Sequence, residues 1–269
     1  MKPPANQGVA VLTVATNRYI DYWRSMAESA DRLLSPGTSL TFYVFTDQPD
    51  KAKLAAESFT RSHVVPILIP PLGWPEATLL RYELFDQSWG LIQEDLVIHL
   101  DADMFVSSKT MFRPAPTEWP NGLAFVRHPG YRRPSLSKCL SLYLHSPKML
   151  QGDIKLWLRL GALGNWETSR DSRAYVPRRL RQTYVCGGTW MGLREPLGRM
   201  IRVLADRTRE DLDRGIIATW HDESHLNWFA SGHAHQLMDS QKCYAPGYKN
   251  LSDIWPEIIA VDKGDDRTR

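Results

Sequence analysis

The stretch EDLVIHLDADMF, residues 94–105, decides the fold. Leu96–Leu100 is a short apolar run without polar alternation, the pattern of a strand buried on both faces. Outward from it, Val9–Val14, Leu40–Phe45, Val64–Ile69 and Leu123–Val126 read the same way. Between them, Tyr19–Leu34 has helical spacing (Ile20, Trp23, Ala27, Ala30, Leu34), as do Ala77–Trp89 and Pro196–Leu212. Strand–helix–strand alternation predicts an α/β fold with a mainly parallel central sheet flanked by helices. Ligands of such sheets sit at the carboxyl ends of strands. Asp101 and Asp103 follow the Leu96–Leu100 strand directly. In extended backbone, residues i and i+2 point to one side, so both carboxylates can face one ligand. Two hard oxygen donors suit Mn²⁺ or Mg²⁺, completed by water and substrate phosphate oxygens. The competing reading is turn capping by Asp. A second such tripeptide, Asp211-Leu212-Asp213, lies in the charged run ADRTREDLDRG with no strand before it, and reads as solvated helix.

The chain has 269 residues, 43% of them hydrophobic and 23% charged. These proportions exclude wholesale disorder, a collagen repeat and a disulfide scaffold. No apolar run approaches the roughly 20 residues of a membrane helix. The start, MKPPANQG, has no apolar stretch of a secretory signal, so a cytoplasmic location is expected if Met1 is the true start. Cys139, Cys186 and Cys243 form no CxxC pair, which fits a reduced compartment. No repeat or low-complexity linker divides the chain, and one domain over 1–269 is expected.

Charge is uneven. The net is +3, but residues 127–181 hold twelve Lys/Arg against three acids. Such a block suggests an anionic partner such as a membrane surface, a phosphorylated acceptor or a nucleic acid; a solvated insertion without a partner explains it equally well. Within it, residues 131–173 break the strand–helix rhythm. Their leucines at helical spacing predict one or two amphipathic surface helices, a basic insertion on the core.

Two further segments carry chemistry. In WHDESH, residues 220–225, His221 and His225 are i, i+4, but the zinc-protease pattern needs Glu directly after the first His, and Asp222 stands there. The following SHLNWFA reads as a helix start with Asp222 as N-cap. In VCGGTWMG, residues 185–192, three glycines in a β-like stretch permit close approach of a ligand or of another backbone.

HPGY (128–131), AYVP (174–177), YVCGGTWMG (184–192) and WHDESHLN (220–227) follow the DxD in this order. With them the chain resembles glycosyltransferase family 6, the family of the histo-blood-group A and B transferases and α-1,3-galactosyltransferase. The likeness covers nearly the whole chain apart from extra residues within 131–173. It implies a GT-A fold, a UDP-sugar donor, and retaining α-1,3 transfer to galactose or N-acetylgalactosamine. It also implies site roles. Val14, Ala15, Thr16 and Tyr19 would surround the uridine, and Trp74 and Arg81 would belong to a mobile loop closing over the donor. Asp101 and Asp103 would bind the metal, with Ala102 near the ribose. Cys186, Gly187 and Gly188 would sort GalNAc from Gal, and Gly188, lacking Cβ, would leave room for an acetamido group. Asp222 would contact the donor sugar, and Lys263 and Arg269 would clamp the diphosphate. His128 and Trp220 would contact the acceptor, and Glu223 would be the catalytic carboxylate.

The family's vertebrate members carry a membrane anchor absent from this sequence, which resembles the bacterial branch. Many bacterial members replace DxD with NxN; both aspartates here imply Mn²⁺ dependence, with Mg²⁺ as substitute. The expected partners are a UDP-sugar and a galactose-containing glycan, lipid-linked at the inner membrane surface and met through the basic insertion, and not a nucleic acid. The rival readings are nucleotidyl or phosphoryl transfer at the same metal–diphosphate site and a catalytically silent glycan-binding module.

Overall fold

The computed structural model describes residues 8–35, 37–110, 112–159 and 163–261, the side chains of 155–159 excepted. In chain order the elements are β1 (Val9–Val14), α1 (Tyr19–Leu33), β2 (Leu40–Thr46), α2 (Pro49–Ala56), β3 (Ser62–Leu68), α3 (Glu76–Leu79), α4 (Arg81–Gln87), β4 (Leu96–Leu100), β5 (Met104–Val106) and β6 (Leu123–Arg127). They continue with α5 (Leu136–His145), α6 (Pro147–Arg159), β7 (Val185–Leu193), α7 (Arg194–Asp213), α8 (His221–Gly232), β8 (Gln236–Met238) and β9 (Ile258–Ala260).

Seven strands form the central sheet in the order β3-β2-β1-β4-β7-β6-β8, and β5 pairs with β9 in a small antiparallel sheet. Only β7 runs against its neighbours in the large sheet. The architecture is α/β with a mostly parallel sheet between helices, as a GT-A fold requires.

The apolar strands follow from burial on both faces. Val9 and Val11 of β1 and Leu40, Phe42 and Val44 of β2 pack on one face with Trp23, Met26 and Ala30 of α1. Ala10, Leu12, Tyr43 and Phe45 point the other way, into a layer with Phe85 of α4 and Leu197, Ile201 and Leu204 of α7. Each large side chain buried this way contributes roughly 1.5–3 kcal/mol. The run expected as one helix over Ala77–Trp89 is broken at Leu80 (φ −91°, ψ 0°) into α3 and α4. The break leaves Arg81 facing the interior.

The reversal of β7 positions the site. Leu100 pairs with Thr189, and the Asp101 N–H donates to the Gly188 carbonyl at 3.0 Å. Because β7 is antiparallel, its amino-terminal Cys186–Gly188 lies beside the carboxyl ends of β4 and β1, where an open α/β sheet receives its ligand. The basic insertion forms two helices, α5 and α6, packed on each other outside the sheet. Among the described residues no helix is long and apolar enough to cross a membrane.

Candidate active site

Asp101, Ala102 and Asp103 form a turn rather than extended backbone: the Met104 N–H donates to the Asp101 carbonyl at 3.1 Å. Ala102 is buried while both aspartates are partly exposed. The turn still offers two carboxylates at the end of β4, by a local geometry that the alternation argument did not anticipate.

Arg81 organises the floor. It is only 5% exposed, at the start of α4, where the family pattern implied a loop closing over the donor. Its Nη2 lies 2.9 Å from Asp101 Oδ1 and its Nη1 3.1 Å from Asp222 Oδ2. Nη1 also reaches His99 Nε2 at 2.9 Å and the Gly187 carbonyl at 3.2 Å. His99 is fully buried and stacks on Trp190, with ring centroids 4.6 Å apart. Burial and Arg81 both lower its pKa, so it is neutral; Nδ1–H donates to Leu12 and Nε2 accepts from Arg81. One guanidinium thus serves two carboxylates. Divided this way it does not offset burial, which pushes Asp222 up to about 6.

Glu223 stands in the first turn of α8. Its Oε2 accepts the Gly187 N–H at 2.7 Å. Burial pushes its carboxyl up to about 7, against the pull of that N–H and the nearby Tyr184 hydroxyl. A helix amino terminus favours ionised carboxylates, so desolvation is the larger effect here. Asn227, one turn on, donates to the Glu223 carbonyl at 2.9 Å and pairs with both the N–H and the carbonyl of Val185. These bonds fasten α8 to the start of β7. The helix cap is Trp220, not Asp222: the Trp220 N–H donates to Ser224 Oγ at 2.9 Å.

Gly187 and Gly188 explain how the carboxylates converge. Consecutive strand residues face opposite sides. A Cβ at Gly187 would lie 3.2 Å from Glu223 Cβ and 3.4 Å from Asp222 Oδ2. One at Gly188 would lie 2.8 Å from Asp101 Oδ2 and 2.5 Å from Met104 Cε. Two missing side chains therefore let α8 close in on one face of β7 and the Asp101 turn on the other. At Gly188 the missing Cβ is what lets Met104 and Asp101 approach β7. The Cys186 side chain is packed in the core and does not face Glu223.

The remaining residues fall around this centre. Val14 is half-buried at the end of β1; Ala15 and Thr16 are buried, and the Thr16 hydroxyl donates to Leu72 at 2.8 Å. Tyr19 begins α1. Trp74 is exposed, and its ring lies 5.0 Å from that of His221. His225 points away from His221, with Nε2 3.6 Å from Asp211 Oδ2. Trp220 is half-exposed. His128 Nδ1 accepts the Gly130 N–H at 3.0 Å, and burial lowers its pKa to about 4, keeping it neutral. Its ring packs near Tyr131 and Tyr184, at 4.9 and 5.7 Å. Lys263 and Arg269 lie outside the described residues. Sequence reasoning passed over His99, Tyr184 and Asn227. His99 was signalled by a polar residue inside an apolar strand, Asn227 by its place four residues after Glu223, and Tyr184 by nothing beyond its place beside the glycines.

Comparison with known proteins places this geometry. The chain is 25% identical over 260 residues to Histo-blood group ABO system transferase 1 of Rattus norvegicus, covering 94% of this chain and 64% of that protein. It is 23% identical over 263 residues to the rat transferase 2, covering 94% and 67%. The O-antigen biosynthesis glycosyltransferase WbnI of Escherichia coli is 22% identical over 256 residues, covering 95% of this chain and 94% of its own. These similarities support a glycosyltransferase like those of family 6. The chain spans about two thirds of the length of the rat glycosyltransferases and nearly all of WbnI. No protein-family model matches it. A glycosyl-transfer role, with a nucleotide-sugar donor and a glycan acceptor, is what these homologues support.

Proposed function

We propose that the chain transfers GalNAc or Gal from a UDP-sugar to a galactose-containing glycan, in α-1,3 linkage and with retention of anomeric configuration. The observation that carries this reading is the convergence of Asp101 with Asp222 and Glu223 across Gly187–Gly188. A diphosphate leaving group needs positive charge at one end of such a site, and retention needs a carboxylate at the reacting carbon.

Asp101 and Asp103 would hold Mn²⁺ or Mg²⁺. The fit rests on their hard oxygens, on Asp101 Oδ2 lying where Gly188 has no side chain, and on one Arg81 shared between Asp101 and Asp222. Among the described residues no third His, Cys, Asp or Glu joins them, so phosphate oxygens and water would complete the shell. When bound, such an ion supplies charge neutralisation for the departing diphosphate.

Glu223 then has one of two roles. As nucleophile, its carboxylate forms a bond to the anomeric carbon as the bond to UDP breaks, and the acceptor oxygen displaces it in a second step. As stabiliser, it faces an oxocarbenium-like carbon while the released UDP takes the acceptor's proton. Arg81 holds Asp222 and Asp101 in place in either case. WbnI is named for O-antigen biosynthesis, and that relation supports a lipid-linked acceptor glycan here.

The test is donor turnover with UDP-Gal and UDP-GalNAc side by side, on lactose and 2′-fucosyllactose, in Mn²⁺ and in EDTA. Sugar transfer abolished by EDTA is the expected result. Tight UDP–Mn²⁺ binding without transfer to either acceptor would move the acceptor assignment and keep the site. Absence of UDP binding would overturn the reading.

A further inference from the structure

Between Glu118 and Asp153 the sequence holds no acidic residue and five bases: Arg127, Arg132, Arg133, Lys138 and Lys148. Helix α5 lies in this stretch. Leu136, Leu140 and Leu144 recur at i, i+4 and i+8, so they share one helix face over about 12 Å. They are 90%, 67% and 77% exposed. The adjoining side of the helix is packed: Cys139 is buried, and the Tyr143 hydroxyl donates to Asp153 Oδ2 at 2.5 Å on α6. The leucine row therefore faces outward in a helix whose inner face is already packed.

A second apolar element adjoins it. Asp253 Oδ2 accepts the N–H of Ser135, the α5 cap, at 3.0 Å, and Asp253 Oδ1 pairs with Arg132 at 2.6 Å. These bonds bring the 253–255 turn to the start of α5, and Trp255 in that turn is 89% exposed. The acids nearby are consumed internally: Asp239 pairs with Arg132 at 3.0 Å and Asp153 with Arg133 at 3.1 Å. Lys148 is exposed at the start of α6.

We propose that this face, Leu136, Leu140, Leu144 and Trp255 with Lys148 at the start of α6, docks on an anionic phospholipid bilayer. An outward apolar row, a tryptophan at its edge and bases without acids are what an interfacial helix needs to seat its apolar side among acyl chains and its charge among anionic headgroups. The orientation would be fixed. Arg132 and Asn250 tie the hairpin's base to the Pro129–Tyr131 turn, and Asn250 donates to the Pro129 carbonyl at 2.7 Å. Tyr131 of that turn borders Tyr184 beside Glu223. Docking would hold the site near a membrane-borne glycan, a consequence that rests on the glycosyl-transfer reading; bilayer binding itself does not.

The test is sedimentation with vesicles of phosphatidylcholine alone and of phosphatidylcholine with phosphatidylglycerol, without donor or acceptor. Wild type should bind the anionic vesicles and much less the neutral ones. The triple variant L136S/L140S/L144S should bind at least ~10-fold more weakly, with unchanged melting temperature and unchanged turnover on a soluble acceptor. K148E should weaken the preference for anionic lipid. Wild type staying in solution with both vesicles overturns the proposal, as does undiminished binding by the triple variant. A wild-type dimer that the triple variant converts to monomer overturns it in favour of a second copy of the chain as occupant. Vesicle binding without sugar transfer would leave this inference standing and remove the enzymatic reading.

Discussion

Asp101-Ala102-Asp103 and Asp211-Leu212-Asp213 are one pattern in two settings. At the end of β4 both aspartates are partly exposed and the residue between them is buried. On α7 the first aspartate is 1% exposed and the third is on the surface. A helix turns roughly 200° between i and i+2, so it cannot present both carboxylates to one ligand. Asp211 is not the solvated residue that its charged neighbours suggested. It accepts Ser172 Oγ at 2.7 Å and the Arg173 N–H at 2.8 Å, and so holds the 172–174 loop onto α7. It also faces His225, which burial keeps neutral with its pKa lowered to about 4. The same pattern leaves two partly exposed carboxylates where a strand ends and anchors a loop where a helix is buried.

The sharpest break of this comparison is charge removal at each site. Asp101→Asn and Asp103→Asn should each lower transfer by about 100-fold or more with a change in melting temperature of only a few degrees, since both carboxylates are partly exposed and, on the proposed reading, hold the ion that neutralises the diphosphate. Asp211→Ala should do the reverse. It strands the buried Ser172 hydroxyl and Arg173 N–H, at a cost of about 2–4 kcal/mol, while kcat falls by less than about threefold. Thermal melts and steady-state kinetics on the three variants read both. Equal kinetic losses at 101 and 211 would erase the distinction.

Gly188→Ala sharpens the comparison from the strand side. Its new Cβ would press on Asp101 Oδ2 and Met104, and metal affinity should fall about tenfold, measured as the Mn²⁺ concentration for half-maximal turnover. A further effect is one of pH. Glu223 is raised to about 7, so between about pH 4.5 and 7 the folded state holds a proton that the unfolded chain has released. Stability from this group is full below about 4.5 and lost as pH rises through about 7. Glu223→Gln should therefore be more stable than wild type at pH 8, by on the order of 3 kcal/mol, and indistinguishable at pH 4. Wild-type kcat should rise through the same region as the carboxylate forms.

Much of the frame was legible in the apolar runs. β1 and β4 coincide with the expected Val9–Val14 and Leu96–Leu100, because strands buried on both faces are dominated by apolar residues up to their ends. The break at Leu80 was not legible. It depends on Arg81 being drawn inward by Asp101 and Asp222, which are 20 and 141 residues away. At Asp101 the sequence left extended backbone and an Asp turn open, and the structure has the turn. Asp222 and Glu223 were singled out by the density of functional side chains in WHDESH, but their environment comes from β7. The backbone N–H that meets Glu223 belongs to Gly187, and the cap belongs to Trp220. Asp211 shows the opposite failure: charged neighbours hid a buried residue whose partners lie 38 and 39 residues upstream.

The central claim is that Glu223 acts on the transition state of sugar transfer at a site shared with Asp101. Its most direct test is Glu223→Gln, with transfer turnover and UDP affinity measured on the same protein. The side chain keeps its size and can still accept the Gly187 N–H. A loss of at least ~100-fold in turnover with UDP affinity unchanged is the predicted result, the signature of an interaction made in the transition state and not in donor binding. Near-normal turnover would contradict the account and remove Glu223 from the chemistry.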